Sequence, residues 1–237
     1  MKATILAAGR GKRLRPLTDN MPKCLLNVGN RRIIEYQLES LSRLGIKDIV
    51  IVTGHLAEKV KEFCGNSFKY VHNSDYLKTD NLFSLWLARN ELKGEFIYLY
   101  SDVFFEPMIL DKLVSFKGDF IFVVEEKTCS GEEMRVREKE GCIIELSKGI
   151  PTEEAFGEFI GIAKFSEKGC RILMEVIDGI VRGGNIEADI AIAITNLAEN
   201  GARLEICMTD NLPWIEIDTE EDLRKAGEEI LSRIKSE

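Results

Sequence analysis

The sequence predicts an α/β fold built on a mostly parallel, doubly wound sheet, and three observations carry that expectation. Apolar runs of strand length, such as DIVIVT at 48–53 and FIYLY at 96–100, alternate with stretches whose apolar residues recur at helical spacing. The β-then-α order repeats through the first half, the pattern of a parallel sheet covered on both faces. The first apolar run also opens directly into a glycine-rich loop, LAAGRGKRLRPLTDNMPK at 6–23, and such sheets bind ligands beyond the carboxyl ends of their strands.

Ala3–Leu6 reads as a buried strand. In Ile33–Leu44, apolar positions 33, 34, 38, 41 and 44 form a helical stripe stopped by Gly45. A strand at Asp48–Thr53, a helix at His55–Phe63, a strand at Phe68–His72 and a helix at Asn81–Arg89 follow. Phe96–Tyr100 is a central strand, Glu106–Phe116 a helix and Asp119–Val124 a strand. After Glu125 the pattern changes. Met134–Ser147 reads as a hairpin turning at Lys139–Gly141, and Phe159–Phe165 as a further strand. Helices at Glu167–Ile180 and about Ile186–Glu199 precede strands at Leu204–Met208 and Trp214–Ile217. Thr219 is placed to cap the last helix, with Asp222 at its third position. No repeat, low-complexity segment or linker divides the chain. The expected organisation is a single domain, 1–237: a Rossmann-like nucleotide half at 1–125, and an acceptor- and metal-binding half at 126–237 that forms a β-rich lid.

The 237 residues carry a net charge of −8, which argues against a general nucleic-acid binder. Positive charge gathers instead at Lys12, Arg13, Arg15 and Lys23, which suits a small polyanionic ligand. The six cysteines show no CxxC spacing and read as small buried hydrophobes, and the two histidines form no zinc pattern. No signal-peptide pattern opens the chain, and no apolar run approaches the ~20 residues of a membrane span, so the expected compartment is the cytoplasm. Gln37 is the sole glutamine among abundant Glu and Lys, a bias seen in hyperthermophile proteomes.

Gly9 and Gly11 allow positive φ and a close backbone approach to phosphate oxygens, and successive N–H groups in such a turn form an anion-binding concavity. Arg13 then offers a planar fork and Lys23 a point charge. The segment is not a P-loop, because Lys12 and Arg13 follow Gly11 where a Walker motif needs Lys-Ser/Thr after wider glycine spacing. Nor is it a dinucleotide fingerprint, since Leu14 stands where the third glycine belongs.

Two acidic groups accompany this loop. Asp102 follows the FIYLY strand and either faces a ligand site or caps the next helix near Pro107. In WIEID at 214–218, Glu216 and Asp218 share a strand face and repel each other unless a cation lies between them. Oxygen ligands from Asp102, Glu216 and Asp218 suit Mg²⁺; the alternative for Asp218 is a helix cap. Thr79, Asn81 and Ser84 head an amphipathic helix, where their side chains either cap or read a base edge. Lys148 and Glu158 either pair with each other or hold a ligand. Glu187 and Asp189 precede a helix, where the dipole alone favours acids.

The run L-x-x-G-x-G-x-R-L-x-P-L-T-x(4)-K resembles the signature of nucleotidyltransferases that join a nucleoside monophosphate to a sugar phosphate or phospho-alcohol. Lys12 departs from the Ser or Thr common there. W-x-E-x-D-T-x-x-D-L, the Thr79–Leu85 segment (with Asp80 in place of an Asn) and GEFIGIAKFS at 157–166 are similar to the choline-phosphate and inositol-phosphate cytidylyltransferases. Sugar-nucleotide relatives more often have glycine at the position of Asp218. The resemblance runs from Lys2 to about Ala226. It implies a GT-A-like fold, Mg²⁺ as cofactor and the reaction CTP + phospho-alcohol → CDP-alcohol + pyrophosphate. It also implies roles. Leu6, Ala7, Ala8, Gly9, Gly11, Lys12, Thr79, Asn81 and Ser84 would bind nucleotide, and Arg13 and Lys23 would be catalytic. Lys148, Glu158, Glu187 and Asp189 would bind acceptor, and Asp102, Glu216 and Asp218 the metal. The expected partners are CTP and a small phosphorylated alcohol, with no nucleic acid and no membrane; a homo-oligomer is left open. Inositol 1-phosphate is the first-choice acceptor, on the composition and on the lack of an aromatic cluster in the sequence. Phosphocholine, a sugar 1-phosphate and a non-catalytic nucleotide-binding subunit are the alternatives.

Overall fold

The first strand, β1 (Lys2–Ala7), is apolar on both faces and buried from Ala3 onward, so it takes a central place in a sheet. After it come a short hairpin, β2 (Asn27–Val28) and β3 (Arg31–Arg32), then α1 (Ile33–Arg43), β4 (Ile49–Thr53) and α2 (Ala57–Cys64). The chain continues through β5 (Lys69–His72), α3 (Asn81–Ala88), β6 (Phe96–Tyr100), β7 (Val103–Phe105), α4 (Met108–Ser115) and β8 (Phe120–Glu126). A hairpin, β9 (Arg135–Lys139) and β10 (Cys142–Ser147), leads to β11 (Gly157–Phe165), α5 (Glu167–Arg182) and α6 (Ile190–Glu199). β12 (Leu204–Met208), β13 (Trp214–Glu216) and α7 (Glu220–Lys225) follow. This computed structural model describes residues 1–234; the last three residues of the expected single unit, 235–237, lie outside the described residues.

Nine strands form one sheet in the order β5-β4-β1-β6-β11-β8-β12-β10-β9. β5, β4, β1 and β6 run parallel, as do β8 and β12. β11 enters between β6 and β8, antiparallel to both. All nine residues of β11 are buried. A strand so placed needs a hydrogen-bonding neighbour on each side, and so the β-rich second half joins the main sheet. Side chains alternate across it. Leu6, Val52, Tyr98 and Phe122 pack against Leu85 of α3 on one face. Ile5, Ile51 and Leu99 pack against Leu41 of α1 and Leu113 of α4 on the other. A third core of Leu14, Val28, Ile33, Phe104, Ile217 and Ala226 pins the segment after the glycine loop to the chain's C-terminal part.

The β9–β10 turn falls at Glu140–Gly141 with φ of 53° and 76°, the mirror-image turn that suits hairpin twist. The strands β2, β3 and β7 are absent from the sequence reading, because two or three residues leave no periodicity to detect. α6 begins at Ile190 rather than near Ile186, because the Asp189 carboxylate accepts from Ala191 N at 2.8 Å and caps the helix there. All six cysteines are free; Cys24, Cys129, Cys170 and Cys207 are buried, and Cys64 and Cys142 are half-buried. Among the described residues no helix is long and apolar enough to cross a membrane.

Within β11 the pairing register shifts between Phe159 and Ala163, and Gly161 absorbs the shift at φ 77°. A Cβ there would lie 2.3 Å from Tyr100 Cδ2. Gly161→Ala is therefore expected to destabilise the fold by about 3 kcal/mol, combining left-handed backbone strain with overpacking. The shift of the urea midpoint measures it.

Candidate active site

The site lies where β1 and β6 end side by side, with Leu6 opposite Tyr100. β1 gives way to Ala8–Gly11, and Ser101 N donates to Leu6 O at 3.3 Å. Asp102 comes next in the chain. β13 pairs antiparallel with β7 and places Glu216 opposite Val103. Ile217 N then donates to Asp102 O at 3.0 Å. This small two-stranded ribbon brings a carboxylate oxygen of each of Asp102, Glu216 and Asp218 within 4.8 Å of the others. The capping alternatives fall away. Thr219 and Asp222 form the cap of α7, with Asp222 Oδ2 accepting from Thr219 N at 2.8 Å, and α4 starts beyond β7, after Pro107.

Two cations face this trio. Lys23 sits on a single 3₁₀ turn, Lys23–Leu25, after Pro22. Its Nζ donates to Asp102 Oδ2 and to Asp218 Oδ1, both at 2.6 Å. Arg13 donates through Nη2 to Asp218 Oδ2 at 2.5 Å and through Nη1 to Glu132 Oε2 at 2.8 Å. Burial works against the Lys23 ammonium, but the Asp102 and Asp218 carboxylates outweigh it and raise its pKa. Burial likewise works against the Asp218 carboxylate, yet Lys23 and Arg13 hold its pKa below the usual carboxylate value. Glu216 goes the other way. Burial, reinforced by the neighbouring charges of Asp102 and Asp218, pushes its pKa up to about 8.

The donor chemistry fits a hard divalent cation. All three side chains are carboxylates, and Asp102 Oδ1 is buried with no hydrogen-bond partner. Burial and the adjacent Asp102 and Asp218 charges disfavour the charged form of Glu216, as expected of a carboxylate cluster short of positive charge. A metal ion would make up that deficit and take up the orphaned oxygen.

A cavity of about 310 Å³ opens over this cluster. Leu6, Ala7, Ala8 and Gly9 form one wall, Thr79, Asn81 and Ser84 another, and Lys148 and Asp189 also line it. Gly11 and Lys12 border an adjoining cavity of about 410 Å³ that shares Gly9, Arg13, Lys23, Asp102 and Asp218. Gly11 adopts φ 59°, and its carbonyl accepts from Thr18 Oγ1 at 2.7 Å. No heavy atom lies within 4 Å of a Cβ built on Gly9, so packing does not demand glycine there. Glu158 is not in the main cavity. It lines a neighbouring one of about 370 Å³ behind Glu216 and Asp218, and its partner is Lys127 at 3.0 Å, not Lys148. Glu187 is exposed and lines none of these three cavities.

The polar wall is tightly braced. Asn81 Nδ2 donates to Tyr100 Oη at 2.9 Å and to Asp189 Oδ2 at 2.8 Å, and its Oδ1 accepts from Ile190 N at 2.6 Å. Its amide thus ties α3 to the start of α6. Buried Asn73 donates to Thr79 Oγ1 and Ser84 Oγ, each at 3.0 Å. Sequence reasoning missed Asn73, and also the cavity-lining Tyr76, Tyr100, Glu132, Met134 and Phe159. These come from separate loops and strands, so no local motif marks them. Only the placement of Tyr100 just before Ser101-Asp102 offered a signal.

The chain is similar to known nucleotidyltransferases. The nucleotidyl transferase family matches residues 2–117. A CTP:phosphoglutamine cytidylyltransferase of Campylobacter jejuni is 33% identical over 197 residues, 75% of this chain and 76% of that protein. A bifunctional IPC transferase and DIPP synthase of Aquifex aeolicus is 30% identical over 227 residues. That match takes in 94% of this chain but 50% of the relative, so the chain spans about half that protein's length. The solved CTP:phosphocholine cytidylyltransferase of Streptococcus pneumoniae superposes with a TM-score of 0.79 at 26% identity, covering 96% of this chain and 97% of that one. A glycine loop at the end of a parallel strand, a facing acidic trio and a relative matched along most of both chains lead to one conclusion: this chain belongs to the nucleotidyl transferase family and is a nucleotidyltransferase.

Proposed function

We propose that the enzyme transfers CMP from CTP to a small phosphorylated alcohol and releases pyrophosphate. The observation that carries this reading is the convergence of Arg13, Lys23, Asp102, Glu216 and Asp218 beside the glycine loop, in one cavity. The first half, 1–125, is read as the nucleotide side and the second as the acceptor side. The metal ligands straddle that division, with Asp102 from one and Glu216 and Asp218 from the other. Asp102, Glu216 and Asp218 would hold Mg²⁺, which when bound would supply charge neutralisation to the phosphate oxygens.

The acceptor's phosphate oxygen attacks the α-phosphorus in line, forming a P–O bond as the bond to the β-phosphate oxygen breaks. The nucleophile is already anionic, so the chain need supply no general base. Its residues position and neutralise. Arg13 and the Ala8–Gly11 amides hold the leaving pyrophosphate, and the bare backbone at Gly9 lets phosphate oxygens approach. Lys23 balances charge building on the α-phosphate. Thr79 and Ser84, held by Asn73, and Asn81 shape the base side. Lys148 and Asp189 face the acceptor, with Glu158 stationed behind Glu216.

Among acceptors, inositol 1-phosphate is the first choice. The relative named for IPC transfer matches 94% of this chain, and Asp189 and Lys148 offer polar contacts to hydroxyl and phosphate. One observation favours a second reading, phosphocholine. Tyr76, Tyr100 and Phe159 all line the cavity, as do Asp189 and Glu132, ring and carboxylate types that suit a quaternary ammonium; Trp214 lies in the neighbouring cavity instead. A pyrophosphate-release screen of CTP, UTP, ATP and GTP against inositol 1-phosphate, phosphocholine and glucose 1-phosphate tests both. CTP is expected to exceed UTP by roughly 5- to 150-fold, the effect of one polar group left unpaired by the wrong base. Highest kcat/KM with phosphocholine replaces the acceptor; a win for UTP with a hexose phosphate overturns the cytidylyl reading.

A further inference from the structure

Arg13 is held from two sides, and the second holder has no part in the CMP-transfer step proposed above, only a place in the cavity wall. Its Nη2 meets Asp218, while its Nη1 meets Glu132 Oε2 at 2.8 Å. A phosphate that takes the Nη1–Nη2 face of the guanidinium in bidentate fashion competes there with these carboxylates. They are unequal competitors. The Asp218 side chain is 24% exposed and also bridges to Lys23, whereas Glu132 is 78% exposed and makes this one ion pair among the described residues. Glu132 is the carboxylate that yields.

The turn that carries Glu132 is itself well built. Glu133 accepts from Ser130 N at 3.1 Å and Gly131 N at 2.6 Å. Burial works against its charge, but these N–H groups and its own hold its carboxyl down at about 2. Arg135 donates to the Gly131 carbonyl and also to the Lys148 and Ile150 carbonyls, at 2.9 and 2.8 Å. The Glu132 turn is thus strapped to the Lys148 turn on the acceptor side of the cavity, while its carboxylate reaches across to the nucleotide side.

We propose that Glu132 is a positioning residue that clasps Arg13 and gives it up to the polyphosphate, so that nucleotide binding and release of the acceptor-side turn are a single event. The inference rests on the nucleotide reading above. Isothermal titration of CTP into the full chain with Mg²⁺ and no acceptor tests it, comparing wild type, Glu132→Gln and Glu153→Gln. Glu153 is an exposed acid on the same half of the chain that lines none of the three site cavities. Glu132→Gln is expected to lower the Kd for CTP by about two- to fivefold, the strength of an exposed ion pair. Glu153→Gln is expected to leave it unchanged. An unchanged or higher Kd in Glu132→Gln, or equal tightening in both variants, overturns the clasp while the nucleotide reading stands. A wild-type chain that does not bind CTP overturns both.

Discussion

Asp218→Ala and Asp102→Ala are each expected to lower kcat by roughly 10²–10³-fold or more, the scale on which a preorganised charge partner of the transition state is lost. Excess chelator should abolish wild-type turnover, and added Mg²⁺ should restore it. Asp218 has two further links to the machinery, through Lys23 at 2.6 Å and Arg13 at 2.5 Å, so its loss also frees both cations from their aim. The fold should survive. In either variant Lys23 keeps one carboxylate partner of its two, and the α7 cap belongs to Thr219 and Asp222 rather than to Asp218. Pyrophosphate release read beside a thermal melt separates the two effects. Full activity in excess chelator would sink the metal assignment.

Lys23→Ala is expected to lose kcat far more than it raises KM for CTP, since charge on the α-phosphate grows toward the transition state. It should also lower stability. The Lys23 side chain is 11% exposed and bridges two carboxylates, and its removal leaves Asp102 unpaired beside Glu216 and Asp218 held by Arg13 alone. Breaking such a buried pair costs about 3–5 kcal/mol. Mg²⁺ offers the same carboxylates another cation, so it should recover much of the melting temperature of Lys23→Ala without recovering turnover. Recovery of both would make Lys23 a mere counter-ion; an unchanged kcat with a raised KM would make it a ground-state binder. Lys23→Met controls for lost packing. Arg13→Lys should be damaging too, because a point charge cannot hold two carboxylate or phosphate oxygens in one plane.

By itself the sequence determined the class of the fold and the chemical types at the site. Apolar runs such as IVIVT and FIYLY mark strands because a strand buried on both faces must be apolar throughout, and that signal is local. The glycine loop with Arg13 and Lys23, and the paired acids Glu216 and Asp218, are legible for the same reason: each is a short, ordered run whose residue types have few other uses together. What only the tertiary structure decided is who meets whom. Asp102 and Glu216 are joined by β7 against β13, two strands far apart in the chain; the sequence marks β13 but not the three-residue β7, and it does not show that the two pair. The insertion of β11 between β6 and β8 turns a lid-like segment into a central strand, a choice made by long-range pairing rather than by propensity. It puts Glu158 against Lys127 and leaves Phe159 in the cavity wall. Likewise, the Asn81 amide and the Tyr76, Tyr100 and Phe159 rings acquire their surroundings from loops and strands that the chain order separates. Side-chain type is written residue by residue, but orientation and partnership are properties of the packed whole.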